Sequence, residues 1–366
     1  MINDYRLKSD FKNCTFSGYK KIDVMNALFK CLDSKNIESS CNWLIECILS
    51  GYTPEIWERL CIYYCTNVHI NNINLLEHTY NTNIKINKLI HKKNYIEILN
   101  LRNNQTCYNL LISYILLLIT TPLNIKYTNN IKIKKEDFNL HNLQLKLQAN
   151  MNILPDNIVN INEPPEIKLI INEIYYHLES SLNSRDKVIY WINWILEWEK
   201  INIKNKINWD INSRHVNVLE KYKKDIIWII WETINIISNK KSKFIKKNIN
   251  TLYSMYIINY DKNKRNKRLP YLFLCVSILS CNVKKKELIN NLSSLIQAQC
   301  NYHMIIQSKK IHEKNNILNI ENNIQELNKK SYKKNKKEEQ NEKTEKIKDK
   351  LSDFNELDKI LFFSSK

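Results

Sequence analysis

Two glycines, Gly18 and Gly51, serve a chain of 366 residues, against a usual share of about 7%. That scarcity removes whole classes of fold and chemistry. A phosphate-cradling loop of the G-x-x-x-x-G-K-[ST] type and a dinucleotide turn of the G-x-G-x-x-G type both need glycines the chain lacks. Barrels and sandwiches rely on glycine at bulges and corners. An all-α fold with short polar connections is what remains, and 43% hydrophobic content can fill one large core or two smaller ones. We expect two helical subdomains, 1–148 and 163–314, joined by a linker at 149–162, with a lysine- and glutamate-rich tail at 315–366.

Residues 1–16 read as a loosely held lead-in. The stretch from Phe16 to Leu76 is where apolar period, caps and turn residues agree. After Ser17-Gly18-Tyr19, the spacing of Ile22, Met25, Leu28, Phe29 and Leu32 predicts one helix face. Ile37, Cys41, Leu44 and Ile48 predict a second, with Trp43 and Cys47 widening the stripe and Gly51 just past its end. Thr53-Pro54-Glu55 then combines an N-cap residue, a proline at the first helical position and an acid in the first turn. The third helix carries Ile56, Trp57, Leu60, Cys61, Tyr63, Tyr64 and Cys65.

Lys30-Cys-Leu, Trp43-Leu44, Gly51, Pro54 and Arg59 carry a resemblance. From Lys30 to Leu75 the chain resembles the C-terminal helical domain of the replication-associated recombination ATPases (the RarA/MgsA family), related to the collar of sliding-clamp loaders. The family's acidic Ser-Glu-Asp-Ile-Gly run is replaced by Cys65-Thr66-Asn67-Val68-His69, and its ATPase domain is not represented in these residues. In texture the chain also resembles proteins of nucleocytoplasmic large DNA viruses. The resemblance implies subunit association through this domain, with Trp43, Trp57 and Arg59 at or beside a helix seam. It also implies a role in DNA replication or recombination.

A net charge of +19 points to a polyanion partner, DNA or RNA bound nonspecifically. A second origin for the charge is a biased genome, since Asn, Lys and Ile dominate and arginine is rare. The densest basic run inside the expected folded region is Asp261 to Arg268. Its Lys262, Lys264, Arg265, Lys267 and Arg268 are the phosphate-contact candidates, and the other reading of the run is a solvated connection between helices.

In the second half, Trp191, Trp194 and Trp198, then Trp228 and Trp231, recur at helical spacing among isoleucines. That company places them in a core rather than on a stacking platform. We expect helices over about 216–238, 243–260, 269–280 (opened by Pro270) and 284–314, and a short amphipathic docking segment at 353–363. The apolar run Asn109 to Thr121 is shorter than the roughly 20 residues of a membrane span, so no membrane association is expected. Met1 to Lys12 lacks the apolar run of a signal peptide, so we expect an intracellular protein with reduced thiols. The viral likeness narrows this to infected-cell cytoplasm or nucleus, or the virion.

Cys61, Cys65 and His69 fall four apart, but no C-x-x-C pair accompanies them, and no metal is expected. Nucleophile elbows, H-E-x-x-H and paired carboxylates on one face are absent as motifs. We expect no enzyme and no cofactor. The expectation is an accessory or scaffold protein of replication or recombination, with a virion or assembly protein and an enzyme with a distributed site as the alternatives.

Overall fold

A computed structural model describes residues 6, 9–90, 95–123, 131–150, 153–180, 184–207, 209–281 and 283. The helices form a compact unit of Met1–Phe16 with Lys20–His303. A second unit takes Ser17–Tyr19 with Met304–Lys366, of which only Ser17–Tyr19 is described. The helix expected at 284–314, the tail and the segment 353–363 lie outside the described residues. No strand forms among the described residues; one antiparallel bridge joins Cys14 to Lys20. The protein is all-α, as the shortage of glycine predicts.

The first helices are α1 (Lys21–Asp33), α2 (Ile37–Leu49), α3 (Thr53–Tyr63), α4 (Leu75–Ile90), α5 (Tyr95–Leu99), α6 (Gln105–Thr120) and α7 (Leu140–Lys146). The later ones are α8 (Pro165–Ser180), α9 (Arg185–Lys204), α10 (Ile227–Asn239), α11 (Lys243–Ile257) and α12 (Arg265–Ser280). The inner stripe of α1 is Val24, Met25, Leu28 and Leu32, while Ile22, in the opening turn, is 70% exposed. Asn36 caps α2 by accepting the Ser39 N–H, and Asn104 caps α6 through Cys107. The described part of the lead-in is tied down. Phe11 and Phe16 are buried under the Arg6 guanidinium, the Tyr52 hydroxyl donates to the Phe11 carbonyl at 2.6 Å, and the Phe16 N–H donates to Ser50 Oγ.

How a chain with two glycines ends its helices is visible at α1, α2 and α9. Each closes with the same pair of bonds, one from the first residue past the cap to a carbonyl three back and one from the next residue to a carbonyl five back. The residue past the cap has φ 75° in Gly51, as its position predicted, but φ 58° in Lys35 and φ 55° in Lys206. A side chain there costs about 1–2 kcal/mol, because Cβ approaches the following carbonyl. Lys35→Gly and Lys206→Gly should each stabilise the fold by about 0.5–1 kcal/mol, the gain being trimmed by the greater freedom of glycine in the unfolded chain. Gly51→Val should act in the opposite direction. Urea midpoints at unchanged slope measure all three.

Helices α8 to α12 bury the tryptophans. Trp191, Trp194, Trp228 and Trp231 are all at most 2% exposed, and Trp228 meets Tyr260 at 4.7 Å between ring centroids. Trp198 is half-buried against Trp209. Two boundaries differ from expectation. Helix α10 begins at Ile227 because the Asp225 carboxylate accepts the Ile227 N–H there, leaving 216–226 largely irregular. Helix α12 begins at Arg265 and runs through Pro270, whose ring nitrogen leaves one interior bond unmade.

The connection expected as a linker is bonded to α8. Glu173 accepts the N–H groups of Gln148 and Ala149, and Asn172 bonds Asn150 and Leu154. The earlier and later helices meet along α4 with α11, and along α12 with α3 and the turns at 64–72. Arg268 of α12 lies 3.5 Å from Glu58 of α3, which adds an ion pair to that apolar contact.

Candidate nucleic-acid interface

The structure divides the expected phosphate contacts between interior and surface. Arg265 is 5% exposed and donates to Asp225 at 2.6 Å and to Glu199. Burial alone would lower its pKa; the hydrogen bonds and charge of Glu199 and Asp225 outweigh that and hold it above the ordinary value. Arg268 is also buried, and donates to the carbonyls of Tyr256 and Ile258 at 2.8 and 2.7 Å. Lys262 is exposed along its stem but places Nζ 3.0 Å from Glu199. Only Lys264 and Lys267 of the five stand in solvent without a carboxylate partner among the described residues.

The same division runs through the molecule. Of the seven arginines, Arg102, Arg185, Arg214, Arg265 and Arg268 are buried. Arg214 meets both oxygens of Glu163 at 2.6 Å and reaches Glu232 at 2.9 Å. Burial raises the Glu232 pKa, with Arg214 opposing it and the like charge of Glu163 adding to it. Arg185 donates to Ser277 Oγ, joining α9 to α12. A planar, weakly hydrated guanidinium suits such buried pairs, whereas an ammonium keeps its water. Interior Glu163, Glu199 and Asp225 are thus matched by arginine, whereas no described lysine is fully buried.

Four surface lysines line a groove between α4 and α11. At one end are Lys243, Lys246, Lys247 and Asn250; at the other are Asn87, Lys88, Asn217 and Asn259. Tyr80 and Ser254 belong to both ends. Lys247 bridges to Glu77 of α4 at 2.8 Å, both side chains being 61% exposed, so the pair contributes about 0–1 kcal/mol at most. Lys88, Lys243 and Lys246 have no ion pair among the described residues. From Asn259 the chain runs directly on toward Lys264. The sequence carried half of the signal, lysines at i, i+3 and i+4 opening a helix at 243; the facing half lies about 160 residues earlier on α4.

The seam residues fall apart by role. Trp57 is buried, its ring 4.9 Å from Tyr114 and its Nε1 donating to Asn83 at 2.8 Å. Trp43 is half-buried. Arg59 is exposed and pairs with Glu55 one turn back at 3.3 Å. The expected Cys61, Cys65, His69 face is broken by a π-helical turn, Tyr64–Val68, after which His69 takes φ 55°. Burial pushes the Cys61 and Cys65 thiols up, and burial with Arg185 nearby holds His69 down at about 3. Nine cysteines are described and no disulfide joins any of them; among the described residues no cluster has the makings of a metal site. No described helix is long and apolar enough to cross a membrane.

The fold and its surface define an all-α protein with an arginine-paired interior and a lysine-lined groove. No protein-family model, no curated protein and no solved structure matches the chain.

Proposed function

We propose that the protein is a non-enzymatic helical accessory or scaffold protein of DNA replication or recombination. It associates electrostatically with nucleic acid and contacts other proteins, or a second copy, through its N-terminal helices. The observation that supports this reading is the sorting of charge. Buried Arg214 and Arg265 are neutralised by Glu163, Glu232, Glu199 and Asp225, while the lysines of α11 and of the turn before α12 stay exposed. Unpaired surface ammonium groups attract phosphate through counterion release, without reading sequence. The replication context rests on the resemblance of Lys30 to Leu75 alone.

Nucleic-acid binding measured by anisotropy across a salt series tests the electrostatic half. About four lysine contacts predict a slope of log affinity against log salt near −4, so that affinity falls about 10²-fold between 50 and 200 mM salt. An affinity that ignores salt, or no binding at low salt, would remove the reading.

A further inference from the structure

We propose that the groove between α4 and α11 is a binding track for single-stranded nucleic acid, with its lysines on the phosphates and Tyr80 stacked on a base. The inference rests on the electrostatic reading above and specifies its site and ligand. Tyr80 occupies the junction of a basic stretch and an amide-rich stretch. It is half-buried and meets no other aromatic among the described residues. An aromatic face beside unpaired lysines is what a strand with unstacked bases can use. A duplex keeps its base faces inside the stack and has nothing to offer Tyr80.

The remainder of the lining fits the same ligand. Ile84 of α4, Ile257 of α11 and Ile258 just past it give apolar wall beyond Tyr80, and Asn87, Asn217 and Asn259 supply paired donors and acceptors for base edges. Lys243 and Lys246 are one turn apart and exposed. The Lys247 to Glu77 bridge crosses between the two helices at the basic end, and its exposure makes it exchangeable for a phosphate. Arginine does not line the groove. Lysine point charges with one stacking ring predict binding that tolerates any sequence. The 16 residues of α4 span about 24 Å, enough for a site of roughly four nucleotides or more.

The test uses the full chain with a fluorescein-labelled oligothymidine and a duplex of equal length, at several salt concentrations. Tyr80→Leu should weaken single-strand binding about tenfold and leave the salt slope unchanged, while Tyr80→Phe keeps wild-type affinity. The double variant Lys243→Gln with Lys246→Gln should weaken binding and make the salt slope shallower by about 1–2. Unchanged single-strand affinity in Tyr80→Leu, or a wild type that prefers the duplex, overturns the groove inference while steep salt dependence keeps the electrostatic reading. A wild type without salt-dependent binding sinks both. Lys243 and Lys246 are exposed and Tyr80 is only half-buried, so circular dichroism should be unaltered; a loss of helix in Tyr80→Leu passes the decision to the lysine pair, where an unchanged salt slope is the overturning result.

Discussion

Arg265→Ala should destabilise the protein by about 3–5 kcal/mol, the range for removing one member of a buried ion pair. The variant would leave buried Asp225 without a counter-charge and buried Glu199 with the Lys262 ammonium alone, each carboxylate being 2% exposed or less. Lys262 reaches only Glu199, and Tyr260 donates to Asp225 without neutralising it. Arg265→Lys should recover part of the loss, because one ammonium cannot present a planar fork to two carboxylates. Lys264→Ala, one residue away and exposed, should leave stability within about 0.5 kcal/mol of wild type. Urea unfolding decides between the assignments. If Arg265→Ala unfolds at the wild-type midpoint and loses nucleic-acid affinity instead, Arg265 is a phosphate contact and the interior assignment is wrong.

Trp57→Ala should cost about 3–5 kcal/mol, the usual range for emptying a buried aromatic site. It removes the contact with Tyr114 and leaves Asn83 Oδ1 with only the Asn87 amide as donor. Trp43→Ala should cost less, since its ring is half-exposed. Arg59→Ala should hardly move stability, because its exposed bridge to Glu55 contributes little. Sedimentation separates the remaining role of that surface. If the N-terminal helices associate, Arg59→Ala shifts the protein toward monomer at tens of micromolar. A wild type already monomeric at that concentration removes the association and leaves Trp57 as core alone.

What could be read from the residues was local. Helices α1 to α3 follow from an apolar period and from Gly51 and Pro54, whose conformational demands are met within a few positions. The tryptophan stripes were legible as core for the same reason. The run from Asp261 to Arg268 was legible as charge but not as direction. Whether an arginine faces water depends on carboxylates that fold against it, and Glu199 and Asp225 lie 66 and 40 positions away from Arg265. The start of α12 was hidden behind Pro270, where a breaker signal in the sequence is overridden by the anchoring of Arg265 and Arg268. The groove was invisible because neither helix has it alone. Lys35 and Lys206 could not be foreseen as turn residues either, because nothing local distinguishes them from other surface lysines.

The position of α12 has a consequence for how the protein is made. Tyr271 and Cys275 of α12 complete the cluster around Cys61 and Cys65, yet they leave the ribosome about 200 residues later. At roughly 5–20 residues per second, that interval is on the order of 10–40 s. Through it, the parts of α3 and of the turn beyond it that α12 covers have no lid. The last described helix therefore completes the packing around α3 and the turn beyond it, and a chain stalled before it would lack that cover.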